Sequence, residues 1–108
     1  MTVSAAPPPR LIRLFPARFI ARATGANVRT AERWRGGQSP QARFRDRIGE
    51  LQAVLDILGR GMTDDAKRDW LEAPNGALAW QRPVDRLAAG EFDAVRGAAE
   101  SYTVGDYV

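Results

Sequence analysis

The side chains of this chain that most plainly invite a chemical reading are its arginines and carboxylates. The 108 residues contain no histidine and no cysteine. That removes the commonest general base, the thiolate nucleophile and the two favoured zinc ligands. Fifteen of the sixteen basic residues are arginine, and several cluster in "ARFIARATGANVRTAERWRGG", residues 17–37. Arg29 and Arg33 are spaced to share one helix face. There a guanidinium can donate two hydrogen bonds to guanine or hold a phosphate. Arg18, Arg22 and Arg35 flank them and suit the DNA backbone. The densest carboxylates are Asp64, Asp65 and Asp69. They read better as charges near a helix N-terminus than as acids of a hydrolase. No catalytic residue, metal or cofactor is expected.

Those arginines need elements to hold them, and the pattern is helical from Arg10 onward. In "PARFIARATG" Phe19, Ile20 and Ala23 fall on one side and Gly25 is a stop. Asn27 is an N-cap candidate for the next helix, which ends at Gly36-Gly37. A third helix is expected to open at Ser39-Pro40. Its stripe of Phe44, Ile48, Leu51, Leu55 and Leu58, widened by Val54, makes a central spine and a candidate homodimer seam. Thr63 caps "DDAKRDWLE". Pro83 starts a short helix that stops at Gly90. The last helix begins near Glu91, with Phe92, Val95, Ala99 and Tyr102 on one face. No period-2 run of useful length occurs, so the fold class is all-α.

The first two of these helices have the marks of a helix-turn-helix. Ala21 is small where the helices cross, Gly25 is permissive in the turn, and Trp34 is a bulky late anchor. The second helix then presents Asn27, Val28, Arg29, Glu32 and Arg33. The other reading is a helical hairpin with an arginine-rich solvated face. The preceding "RLIRLF" is short for the helix that usually leads such a pair, which leaves a weakened DNA-binding role open.

Charge divides the chain. Residues 1–60 carry eleven arginines against four acids, +7, and residues 61–108 carry five basic residues against nine acids, −4, together the overall +3. A basic part joined to an acidic part points to two partners of opposite charge preference. The organisation expected is an arm over 1–9, a helix-turn-helix region with its central helix over 10–60, and a small helical binding domain over 61–108. "MTVSAAPPPR" lacks the apolar centre of a signal peptide, and no run reaches the roughly 20 residues that span a bilayer. With the absence of cysteine, this fits a reducing, cytoplasmic setting.

In the acidic part, "WLEAPNGAL" is followed by "RPVDRLAAGEFDAV". Trp70-Leu71, Pro74-Asn75, Ala77-Leu78, Pro83, Leu87, Gly90 and Val95 stand at fixed spacing, with Arg33-Trp34 and Gly36 upstream. This pattern resembles the MbcA/ParS/Xre antitoxin family over roughly residues 16–108, an Xre-like helix-turn-helix followed by a toxin-binding domain. Trp80-Gln81 departs from it, since the family commonly has Gly between Ala-Leu and Pro. Physically the segment is a scaffold with nothing nucleophilic in it. Trp70 and Leu71 are expected to anchor a helix on the Leu51–Leu58 spine, with Trp34 and Trp70 both largely buried.

The resemblance implies an antitoxin for a RES-domain toxin that looks like an ADP-ribosyltransferase and consumes NAD. It implies that the antitoxin blocks the toxin's NAD pocket, and that the complex, with a homodimer inside it, can bind operator DNA. The residues expected to meet the toxin are Trp80, Phe92, Tyr102, Asp106, Tyr107 and Val108. In that expectation Tyr107 stacks where a nucleotide ring would lie and Asp106 meets phosphate-binding arginines. The rival reading is a stand-alone helix-turn-helix transcriptional regulator without a toxin.

Overall fold

The computed structural model describes residues 9–104. They form seven α-helices: α1 Leu11–Leu14, α2 Ala17–Thr24, α3 Val28–Arg35, α4 Ala42–Leu58, α5 Asp64–Glu72, α6 Pro83–Ala88 and α7 Phe92–Val104, with one 3-10 turn at Gly76–Leu78. The all-α class expected from the periodicity is the one found.

Local signals set most helix ends. The Asn27 side chain accepts from Thr30 N at 2.8 Å, satisfying one of the free N–H groups that open α3. Thr63 does the same for α5 through Ala66 N at 3.1 Å, and Asp64 and Asp65 occupy its first turn, where the helix dipole favours them. At the end of α3, Gly37 N donates to Trp34 O and Gln38 N to Arg33 O, both at 3.0 Å. This paired closure needs a left-handed residue, supplied by Gly37 at φ 110°.

Two expectations need correction. The third long helix opens at Ala42, not at Ser39-Pro40: Gln41 is extended at ψ 153° and is the cap position. Pro40 is buried instead of leading the first turn. Trp70 is only partly buried, while Leu71 beside it is fully buried. Neighbouring helix residues point about 100° apart, so only one of the two can face the spine. Trp70 lies at the edge, its ring 6.0 Å from that of Tyr102.

The core is one continuous cluster. Phe19, Ile20 and Trp34 from the helix pair meet Ile48, Leu51, Val54, Leu55 and Leu58 of α4, and Leu71, Leu78, Val84, Leu87, Val95 and Ala99 complete it from the acidic part. Each fully buried Leu or Val contributes on the order of 1.5–3 kcal/mol before entropy is counted. Trp34 is wholly buried and meets Phe44 edge-on at 5.3 Å. Helix α4 is the axis: α7 packs along it, and α2 touches both α4 and α6.

Candidate DNA-reading and partner-binding surfaces

The basic surface is built on α2 and α3. Ala21 and Ala31 are buried between them, which lets the helices approach closely and turns the other face of α3 outward. Val28 is 41% exposed, and Arg29 and Arg33 are exposed. Asn27 shares this edge, although its side-chain oxygen is occupied as the cap. Arg18 is exposed at the start of α2, beside a groove of about 620 Å³ that Phe19, Arg22, Val28, Arg68 and Glu72 also line.

Two arginines of the sequence-derived set have structural duties instead of being free. Arg22 donates to both carboxylate oxygens of Asp85 on α6, at 2.7 and 3.1 Å. That hydrogen bond holds the Arg22 guanidinium above its ordinary pKa. Arg35 donates to the Phe15 carbonyl and pins α3 to the end of α1. Neither role was legible in the sequence, because the partners lie 63 and 20 residues away.

Further arginines join the two parts of the chain. Arg47 Nε donates to the Ala88 carbonyl at 3.0 Å, placing a cation at the C-terminal end of α6. Arg96 of α7 pairs with Glu50 of α4, Nε to Oε2 at 2.7 Å. Glu50 also raises the Arg96 pKa by hydrogen bonding. These contacts tie α6 and α7 to α4.

The acidic part presents its aromatic residues differently. Phe92 is partly buried against the core, and Tyr102 is 48% exposed beside Trp70. Asp106, Tyr107 and Val108 lie outside the described residues. Trp80 is 73% exposed, and its backbone is unusual. Ala79 and Trp80 have φ of 55° and 65°, two consecutive non-glycine residues in the left-handed region. Gln81 N donates to Leu78 O at 3.0 Å, closing a tight turn around them. Two positive φ values make it a type I′ turn, whose usual residues are Gly, Asn and Asp. Each non-glycine residue there costs on the order of 1–2 kcal/mol.

Asn75 holds the strained turn. Its carbonyl accepts from Leu78 N and Trp80 N, both at 2.9 Å, its N–H donates to Gln81 O at 3.0 Å, and its side chain accepts from Ala77 N at 2.9 Å. Arg86 donates to the Leu78 carbonyl at 3.1 Å and pairs with Glu91. The six-membered edge of the Trp80 indole lies against Gly76, where a Cβ would stand 3.2 Å from the ring. The Pro-Asn-Gly spacing signalled a turn; that its glycine is a seat for the indole needed the fold.

Asp64, Asp65 and Asp69 are all exposed on α5. Among the described residues no group of three or more His, Cys, Asp or Glu side chains could hold a metal ion. Nor is any described helix long and apolar enough to cross a membrane.

Proteins similar to this chain in sequence and in fold are antitoxins. The probable mycobacterial cidal antitoxin Rv3188 of Mycobacterium tuberculosis is 36% identical over 89 residues, covering 82% of this chain and 76% of that protein. The mycobacterial cidal antitoxin MbcA of Mycobacterium bovis is 31% identical over 84 residues, covering 77% and 74%. A chain in the crystal structure of the M. tuberculosis MbcT-MbcA toxin-antitoxin complex superposes with a TM-score of 0.71 at 28% identity, over 89% of this chain and 88% of that one. No family model matches the sequence. The chain belongs to the MbcA family of mycobacterial cidal antitoxins.

Proposed function

We propose that this antitoxin neutralises a RES-domain, NAD-consuming toxin by binding it directly and covering its NAD pocket with the acidic C-terminal part. The observation that carries the reading is the exposure of Trp80 and Tyr102 in the part of the chain, residues 61–108, whose charge balance is acidic. An acidic part suits a pocket that holds nucleotide phosphates with cations. Phe92, Tyr102 and the tail residues Asp106, Tyr107 and Val108 complete the proposed contact. The setting is the cytoplasm, where NAD is consumed; the α4 stripe is used up in the chain's own core, so a homodimer inside the complex uses another face.

The test is to establish whether a RES-type protein is encoded beside this chain and to co-express it with the antitoxin, intact and truncated after Ser101. The intact chain is expected to protect cells and their NAD. A truncated chain that still forms the complex while NAD is consumed assigns the plug to the tail. Protection by the truncated chain assigns it to the helical surface around Trp80. An intact chain that neither binds nor protects would refute the reading.

A second role is supported by exposed Val28, Arg29 and Arg33 on α3: operator binding and autorepression, with the arginines reading guanine or holding phosphate and Val28 touching a thymine methyl. A stand-alone regulator would have this surface and no toxin gene beside it.

A further inference from the structure

We propose that the Leu78–Gln81 turn is a pre-set anchor for the toxin, with Trp80 entering an apolar socket on that partner and Arg82 meeting a carboxylate at the socket's rim. The inference rests on the antitoxin reading above and specifies which residue dominates that interface. Its starting point is a mismatch between cost and return. Ala79 and Trp80 both occupy left-handed backbone that glycine would adopt without strain. The fold gains little from the tryptophan, since 73% of it remains exposed. Neighbouring structure nevertheless over-determines the turn through Asn75, Arg86 and the Gly76 seat. Strain retained by such a surround is a mark of sites kept for a partner.

The geometry also suits an anchor. A turn fixed by its own hydrogen bonds presents the indole with little left to order on association. Gly76 keeps the ring from lying freely in solvent by giving it a flat seat. Two residues on, Arg82 is exposed and makes no ion pair among the described residues. Tryptophan and arginine are the side chains that most often dominate protein interfaces, and they do so in sockets that exclude water. The free Arg82 therefore calls for an acid at the rim of the apolar socket.

The experiment compares wild type with Trp80→Gly, Ala79→Gly and Arg82→Glu. Each is melted thermally as the free antitoxin and titrated calorimetrically against a purified RES-type toxin, taken from the gene beside this chain's if one is found there. Trp80→Gly is expected to melt at or above the wild-type temperature, because strain is relieved, yet to bind at least about thirtyfold more weakly. Ala79→Gly is expected to melt higher and to bind within about threefold of wild type, and Arg82→Glu to bind about tenfold more weakly with an unchanged melt. Trp80→Gly binding within about threefold of wild type, or melting well below it, overturns the anchor. Failure of the wild-type chain to bind at all overturns the antitoxin reading instead.

Discussion

Replacing Leu71 and Trp70 one at a time tests how the acidic part is attached to the spine. Leu71 is fully buried, whereas Trp70 is only partly buried and leans on Tyr102. A buried Leu→Ala change loses transfer energy and leaves a cavity, about 2–5 kcal/mol. Trp70→Ala removes a partly exposed ring and an aromatic pair of about 0.5–1.5 kcal/mol, so its total is expected near 1–2 kcal/mol. A domain of this size has about 5–15 kcal/mol in all, and each kcal/mol moves the melting temperature by about 4–8 °C. Leu71→Ala is thus expected to lower the midpoint by at least about 10 °C and Trp70→Ala by less than that. Urea and thermal unfolding followed by far-ultraviolet circular dichroism measure both without depending on tryptophan emission. Equal losses, or a larger loss for Trp70→Ala, would refute the placement of Leu71 as the anchor of α5.

Trp34→Ala is expected to cost about 3–5 kcal/mol, since its ring is wholly buried; chemical denaturation checks it. Arg29→Ala and Arg33→Ala are each expected to weaken operator binding by about 1–3 kcal/mol, with affinity falling steeply with salt; fluorescence titration against the upstream region at several salt concentrations reads both, and binding insensitive to salt would remove α3 as the reader. A double-mutant cycle on Arg22 and Asp85, a pair about half exposed, is expected to give a coupling of only about 0.3–1 kcal/mol. Asn75→Ala is expected to destabilise the fold by only about 0.5–1 kcal/mol, because the exposed Ala77 N–H exchanges that side chain for water; a neutral change would mean that the turn closes without that side chain.

What the sequence determined by itself is what depends on near neighbours. The 3.6-residue period of Phe19, Ile20 and Ala23 and of Ile48, Leu51, Leu55 and Leu58 marks the buried faces, because a helix repeats on its own geometry. Asn27, Thr63, Gly25 and Gly90 mark helix ends, because capping is settled within a few residues. The spaced motif from Trp70 to Val95 carried the family for the same reason, as local turns and caps recur wherever that fold does. Tertiary structure decided the rest. Whether Trp70 or Leu71 turns into the core depends on how α5 is rotated where it packs on α6. Arg22 becomes a clasp only when α6 brings Asp85 beside it. The strain at Ala79 and Trp80 is equally invisible in a sequence, since no local preference puts alanine and tryptophan there; hydrogen bonds of Asn75 and Arg86 fix the turn, and the missing side chain of Gly76 lets the indole lie against the backbone.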